Sequence, residues 1–182
     1  MSDIIMLPGL GGSGEDHWQT LWERQDPGIR RFQPSSWDKP ILADWIAALE
    51  REIARLETPP ILIAHSLACQ LIAHWAPVAK TAILGAFLVA PPEPTGEIYL
   101  AEAGSFAHPP RQRLPFPTQL VASTDDPFCS FGYARQSAEI WGSSLVDIGP
   151  RGHINAASGL GDWPEGKARF ERFRAQLLQG QS

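Results

Sequence analysis

The stretch Ile61-Leu62-Ile63-Ala64-His65-Ser66-Leu67-Ala68-Cys69 joins two different patterns without a break. Its first four residues form a short apolar run rich in β-branched side chains, which is typical of a buried strand. The helical pattern Leu67 to Trp75 follows after a single turn. A strand that passes so directly into a helix indicates an α/β protein, in which parallel strands alternate with helices.

The same alternation extends over the whole chain. Short apolar runs predict six strands, at Ile4 to Leu7, Ile29 to Phe32, Ile61 to Ala64, Ala82 to Val89, Thr118 to Ala122 and Ser144 to Ile148. Helical patterns lie between them, at Asp16 to Gln25, Leu67 to Trp75, Tyr133 to Trp141 and Glu165 to Leu178. The clearest one begins after Asp38 as N-cap, with Pro40 near its first turn, and its apolar face extends from Ile41 to Leu56. We therefore predict one α/β domain over residues 1–182, a three-layer α/β/α structure with a mainly parallel sheet of about six strands.

Composition excludes several classes of protein. The 182 residues are 43% hydrophobic and 19% charged, which is too apolar for a disordered chain. The net charge of −5 provides no basic field for nucleic acid or anionic lipid, so neither is an expected partner. The longest apolar run, Ala82 to Pro92, is shorter than the roughly 20 residues of a membrane span.

The start of the sequence and its two cysteines predict a plain intracellular protein. MSDIIMLPGLGG has neither the basic region nor the apolar stretch of an export signal, so we expect a cytoplasmic location. Cys69 and Cys129 form no CxxC pair and no ligand-like spacing, and we predict no metal and no cofactor.

Ser66 occupies the turn between the third strand and its helix, in a pattern that resembles a nucleophile elbow. In the G-x-S-x-G form of that turn the positions two before and two after the serine must be small, and here both are alanine, Ala64 and Ala68. The turn would raise the Ser66 hydroxyl to the edge of the sheet and place the Leu67 N–H at a helix N-terminus, suited to an oxyanion. Alternatively, Ser66 only caps the helix.

Two further loops that follow strands carry an acid and a base. Asp125 and Asp126 precede Pro127 after the fifth strand, where they are either turn residues or the partner of a catalytic imidazole. Asp126 is the preferred acid, because its place resembles the acid loop of α/β-hydrolases. His153 follows Gly152 after the last strand, and an imidazole with a reference pKa of about 6.5 suits a general base.

The order Ser66, Asp126, His153 is the serine, acid, histidine order of α/β-hydrolases, with each residue just past its own strand. The agreement of three weak signals predicts a serine hydrolase with an acyl-enzyme intermediate, esterase-type on small acyl esters. The alternative is a non-catalytic binding protein on the same fold.

The loop Pro8 to Gly14 supports this interpretation and also supplies a rival. In a hydrolase, its Leu10 N–H would be the second oxyanion donor, and we assign Gly9, Gly11, Gly12 and His65 to substrate binding. The same glycines satisfy the GxGxxG pattern of dinucleotide-binding proteins. That pattern expects an acidic residue at the end of the second strand, where residues 32–35 offer none, although Arg30 and Arg31 are near a position for a 2′-phosphate.

The sequence also resembles the small bacterial serine hydrolases related to retinoblastoma-binding protein nine, a cap-less branch of the α/β-hydrolase superfamily. The resemblance covers nearly the whole chain. It rests on His17-Trp18-Gln19 and Trp22-Glu23 after the glycine loop, His65-Ser66, Ser123 with Asp125-Asp126-Pro127-Phe128, and Gly152-His153-Ile154-Asn155 with Ser158-Gly159, Gly161 and Trp163-Pro164. It implies that Ser66, Asp126 and His153 match the family's nucleophile, acid and base. The LxCxE segment tied to pocket-protein binding in the mammalian relative is absent, so that partner is not carried over.

Overall fold

The protein folds around a single six-stranded parallel sheet. The computed structural model describes residues 3–96, 98–99 and 101–180. The strands are β1 (Ile4–Leu7), β2 (Ile29–Arg31), β3 (Ile61–His65), β4 (Gly85–Val89), β5 (Thr118–Ala122) and β6 (Ser144–Asp147). Their spatial order is β2-β1-β3-β4-β5-β6, and every neighbouring pair is parallel. All six carboxyl ends therefore lie at one edge of the sheet, where ligand sites of such folds form.

Helices cover both faces of this sheet. They are α1 (Trp18–Gln25), α2 (Leu42–Ile53), α3 (Leu67–Trp75), α4 (Phe131–Trp141) and α5 (Pro164–Gln179), with short 3₁₀ helices at Ala76–Val78, Ala101–Phe106 and Ala156–Ser158. Alternate strand residues point to opposite faces. One set packs under α2, α3 and α4, in a core cluster that includes Leu62, Trp45 and Leu71. The other set packs under α1 and α5, in a cluster that includes Ile63, Trp22 and Phe170. The result is the predicted three-layer α/β/α structure, a minimal α/β-hydrolase fold.

The central strands β1, β3 and β4 are buried along their whole length, which explains why they read as continuous apolar runs. All six predicted strands are present, with bounds that differ by at most a few residues. Among the described residues, none of the helices has the length and apolar character needed to cross a bilayer.

The predicted start of α2 is wrong. The helix begins at Leu42 with Ile41 as N-cap, so Asp38 lies outside it, and Ile41 is exposed rather than on the buried face. The Leu42 N–H donates instead to the hydroxyl of Ser105 at 3.2 Å. A partner 63 positions away therefore satisfies the helix end that a local cap was expected to satisfy.

Candidate active site

Ser66 lies in a strained turn at the carboxyl end of β3. Its backbone has φ 54° and ψ −122°, a combination rarely adopted by a residue with a side chain. Main-chain bonds hold the turn: the Ser66 N–H donates to the Val89 carbonyl and the Cys69 N–H donates to the Ser66 carbonyl, both at 2.9 Å. Ala64 and Ala68 are fully buried beside it, so larger side chains there would have no space. We call residues 64–68 the elbow.

Gly9 shows how tightly the first loop packs against the elbow. A Cβ at this position would lie 2.9 Å from both the His65 carbonyl oxygen and the Ser66 Cβ, and 3.2 Å from the Leu67 nitrogen. Because even an alanine Cβ would be too close, only glycine lets the main chain pass here. This approach brings the Leu10 loop beside the start of α3.

The structure brings the three predicted side chains together. His153 Nε2 lies 2.8 Å from Ser66 Oγ, and His153 Nδ1 lies 2.9 Å from both carboxylate oxygens of Asp126. A carboxylate only accepts, so Nδ1–H donates to Asp126, which leaves Nε2 to accept from the Ser66 hydroxyl. The imidazole and the Asp126 side chain are 9% and 2% exposed, which shields this chain of hydrogen bonds from water.

The two adjacent carboxylates have different contacts. Asp126 reaches the imidazole and also accepts from the Phe128 N–H at 2.9 Å. Asp125 is exposed and accepts from the Ser123 hydroxyl and the Gly152 N–H, at 2.8 and 2.7 Å. These bonds, that of Ser123 foremost, lower the pKa of Asp125. Asp125 therefore ties its loop to the segment that carries His153 rather than contacting the ring.

That segment, residues 151–154, is called the base loop below. Gly152 and Ile154 have φ of 56° and 50°, and the positive φ is unusual for a β-branched residue such as Ile154. Side chains from other segments bond to its backbone at 2.7 to 2.8 Å. Ser123 Oγ accepts from the Arg151 N–H, the Asp125 carboxylate accepts from the Gly152 N–H, and Trp18 Nε1–H donates to the Ile154 carbonyl. In the sequence these residues stood out only as members of motifs, and no local pattern predicted the contacts that they make.

Two further histidines, His17 and His65, lie beside the triad. The His65 ring lies edge-on between those of His17 and His153, with centroid separations of 4.6 and 5.0 Å. His17 also caps α1, since its Nδ1 accepts from the Gln19 N–H at 3.2 Å. Burial, followed by the proximity of Arg31 and His153, lowers the pKa of His17 to about 3. Burial likewise holds the pKa of His65 well below its usual value, so both rings are neutral near pH 7.

A cavity of about 440 Å³ opens in front of Ser66. Its walls are mainly apolar, with Leu10, Leu67, Pro92, Ile98, Tyr99 and Phe128 among the lining residues. None of the described lining residues is Asp, Glu, Lys or Arg. The segment between β4 and β5 thus borders the cavity.

The positions assigned to substrate binding separate in the structure. Gly11 and His65 line the cavity, whereas Gly9 is buried against the elbow and Gly12 against the Trp37 ring, where a Cβ would lie 2.8 Å from Cγ. The structure therefore places Gly9 and Gly12 behind the cavity wall, and their effect is on the conformation of the loop. Both oxyanion candidates, Leu10 and Leu67, line the cavity.

The N–H groups of Leu10 and Leu67 are free to donate to a bound anion. The Leu67 N–H is the first of α3 and has no partner within the helix. The Leu10 N–H has no main-chain or side-chain partner among the residues that the structure describes.

Arg31 bears on the dinucleotide interpretation. Its guanidinium donates to the Gly12 carbonyl at 2.7 Å and to the Thr20 hydroxyl at 2.8 Å, and pairs with Glu23. Arg31 therefore holds the glycine loop to α1 and is not available for a 2′-phosphate. In the described part of the chain, no group of three or more His, Cys, Asp or Glu side chains is arranged to hold a metal ion.

A parallel sheet with a strained serine after one strand, an acid after another and a histidine after the last defines the α/β-hydrolase class. The family model for serine hydrolases matches residues 4–172. The chain belongs to this family.

Solved structures agree with that placement. A protein of Pectobacterium atrosepticum described as a YdeN-like hydrolase is 35% identical, with a TM-score of 0.87 over 97% of this chain and 92% of its own. The ydeN gene product of Bacillus subtilis is 18% identical, with a TM-score of 0.78 over 96% and 100%. A monoacylglycerol lipase of Paleococcus ferrophilus, at 12% identity and a TM-score of 0.70 over 97% and 93%, shares the fold. Among proteins with curated descriptions, none matches the sequence.

Proposed function

We propose that the protein is a carboxylesterase-like serine hydrolase in which Ser66, His153 and Asp126 form the catalytic triad. The observation that carries the proposal is the continuous chain of short contacts from Ser66 Oγ through the imidazole to Asp126. A serine that only capped its helix would accept from that helix, but the Ser66 side chain makes no such bond.

Catalysis follows from the arrangement of these groups. His153 Nε2 takes the hydroxyl proton as Ser66 Oγ attacks the substrate carbonyl carbon, and the buried Asp126 carboxylate stabilises the resulting imidazolium. The N–H groups of Leu10 and Leu67 donate to the oxyanion of the tetrahedral intermediate. His153 then protonates the leaving alcohol, and water, activated by the same imidazole, hydrolyses the acyl-enzyme.

The cavity supports uncharged acyl esters as the substrate class. Its apolar wall favours hydrocarbon, and no described lining side chain carries a charge that would pair with an ionised acyl group. The family placement and the lipase fold neighbour support ester hydrolysis in general. The proposed substrate is therefore a small acyl ester. We also propose a cytoplasmic location, from the sequence pattern alone.

Covalent labelling tests the proposal most directly. A fluorophosphonate probe should modify Ser66 in the folded protein, and mass spectrometry of the digest should find the adduct on the peptide that contains it. Ser66→Ala should abolish labelling and lower kcat on p-nitrophenyl butyrate by about 10⁴ to 10⁶-fold.

Ser144→Ala is the matched control, because Ser144 is exposed at the start of β6, on the opposite edge of the sheet. It should label and turn over as the wild type does. A folded wild type that neither labels nor hydrolyses esters would favour the non-catalytic binding protein, and Ser66→Ala with full turnover would refute the triad.

A further inference from the structure

His65 precedes Ser66 in the sequence, and its imidazole contacts the base loop on the other side of the site. His65 Nε2 lies 2.9 Å from the main-chain carbonyl oxygen of His153, 88 positions along the chain. Both residues are buried, with 4% and 8% of their surfaces exposed. This bond directly joins the elbow, which carries the nucleophile, to the base loop.

The direction of the bond is fixed by chemistry. A carbonyl oxygen has no proton, so His65 Nε2 must be the donor. The neutral imidazole carries one N–H, which the bond assigns to Nε2. Because His65 is only 4% exposed, loss of the bond would leave a nearly buried His153 carbonyl without this partner.

The base loop needs such a contact because its backbone is strained. Gly152 and Ile154, on either side of His153, both have positive φ. A conformation of this kind persists only when its surroundings over-determine it. Trp18 and Asp125 bond to the Ile154 carbonyl and the Gly152 N–H, whereas His65 bonds to the carbonyl of His153 itself.

We propose that His65 is a positioning residue, whose Nε2–H bond to the His153 carbonyl sets the distance between His153 Nε2 and Ser66 Oγ. The proposal rests on the proposed function. A misplacement of about 1 Å in a catalytic group lowers the rate about 10²-fold. Because the bond orients the base and not the substrate, its loss should lower kcat and leave KM almost unchanged.

Two substitutions separate positioning from substrate binding. His65→Leu removes the donor, whereas His65→Gln keeps an N–H donor at a similar reach. On p-nitrophenyl butyrate, His65→Leu should lower kcat about 10- to 100-fold with KM within about twofold of wild type. His65→Gln should recover most of this loss.

His74→Leu is the matched control. His74 Nε2 also lies near a main-chain carbonyl, that of Phe106 at 3.2 Å, but His74 belongs to the far half of α3. It should retain the wild-type kcat. Wild-type kcat in His65→Leu, a loss expressed in KM alone, or His65→Gln as impaired as His65→Leu at equal melting temperature would each overturn the proposal.

A second measurement needs no variant and covers the case in which His65→Leu does not fold. Nuclear magnetic resonance of the ¹⁵N-histidine-labelled wild type should show His65 as the neutral Nε2–H tautomer near pH 7. An Nδ1–H tautomer, in which Nε2 carries no proton, would overturn the bond. A wild type without esterase activity would refute the proposed function, while the tautomer would still report on the bond independently.

Discussion

The elbow and the base loop hold the two reacting groups in different ways. Main-chain hydrogen bonds to β4 and within the first turn of α3 fix the position of Ser66. The base loop makes its key bonds to side chains from α1, the elbow and the loop after β5, which are between 27 and 136 positions away. The sheet therefore positions the nucleophile, whereas the base is positioned only when segments distant in the sequence come into contact. Substitutions that affect one region more than the other test this difference.

After Ser66→Ala, the largest effect should come from Asp126→Asn, which alters the hydrogen bond to the base and keeps the shape of the side chain. An asparagine amide can donate to Nδ1, which would move the ring proton to Nε2 and leave Ser66 without a base. We expect kcat on p-nitrophenyl butyrate to fall about 10⁴-fold at an almost unchanged melting temperature. The neighbouring substitution Asp125→Asn keeps an acceptor oxygen and should retain most of the activity. If Asp126→Asn kept a tenth of the wild-type kcat, the assignment of the acid would be wrong.

Gly9→Ala should disturb the packing of the first loop against the elbow. The added Cβ would meet the His65 carbonyl oxygen and the Ser66 Cβ at 2.9 Å, and neither can move without shifting the nucleophile. Overpacking should cost about 1 to 3 kcal/mol of unfolding free energy, and the displaced Ser66 should lower kcat by about 10²-fold. Urea denaturation and steady-state kinetics measure the two effects. Gly132→Ala serves as control, because the nearest atom to its Cβ, Ser130 Oγ, lies 4.0 Å away.

Asp125→Ala should have a smaller, several-fold effect on kcat. It removes the acceptor of the Gly152 N–H and Ser123 hydroxyl bonds, but Asp125 is exposed, so water can replace part of what is lost. Asp125→Asn should restore the rate because it keeps one acceptor oxygen. Equal kcat in Asp125→Ala and the wild type would show that the base loop is held without this contact.

The same difference explains what the sequence could and could not predict. The elbow was predictable because its signals are local: an apolar β-rich run, Ala64 and Ala68 as small flanks, and an immediate helix. Trp18 bonds to Ile154 across 136 positions, and no local pattern reports such a contact. The positive φ of Ile154 was equally hidden, because β-branched residues disfavour it.

The start of α2 repeats this lesson away from the site. Asp38 and Pro40 are ordinary helix-start signals, but the Ser105 hydroxyl accepts from the Leu42 N–H and the helix begins later. At α2, which carries no catalytic residue, a tertiary contact thus outweighed a local preference. Contacts between distant segments fix the base loop in the same way.

The smallest expected effect concerns His17, which supports the elbow side through its contact with the His65 ring. Its pKa is about 3 in the folded protein, because of burial first and Arg31 second, against 6.5 for a free imidazole. Between these values the unfolded chain binds a proton that the folded chain does not, so the unfolding free energy must fall as pH decreases from about 6.5. His17→Asn removes the imidazole and keeps a side-chain oxygen that caps α1.

Urea denaturation at several values of pH between 7 and 4.5 should therefore give a shallower acid dependence in His17→Asn than in the wild type, by up to about 1.4 kcal/mol per pH unit. The slope is diagnostic and the level is not, because the smaller side chain leaves a cavity that costs stability at every pH. His108→Asn, at an exposed position, should keep the wild-type slope. Identical slopes in all three proteins would mean that His17 is hydrated in the folded state, and that the elbow is less sealed from water than the base loop it faces.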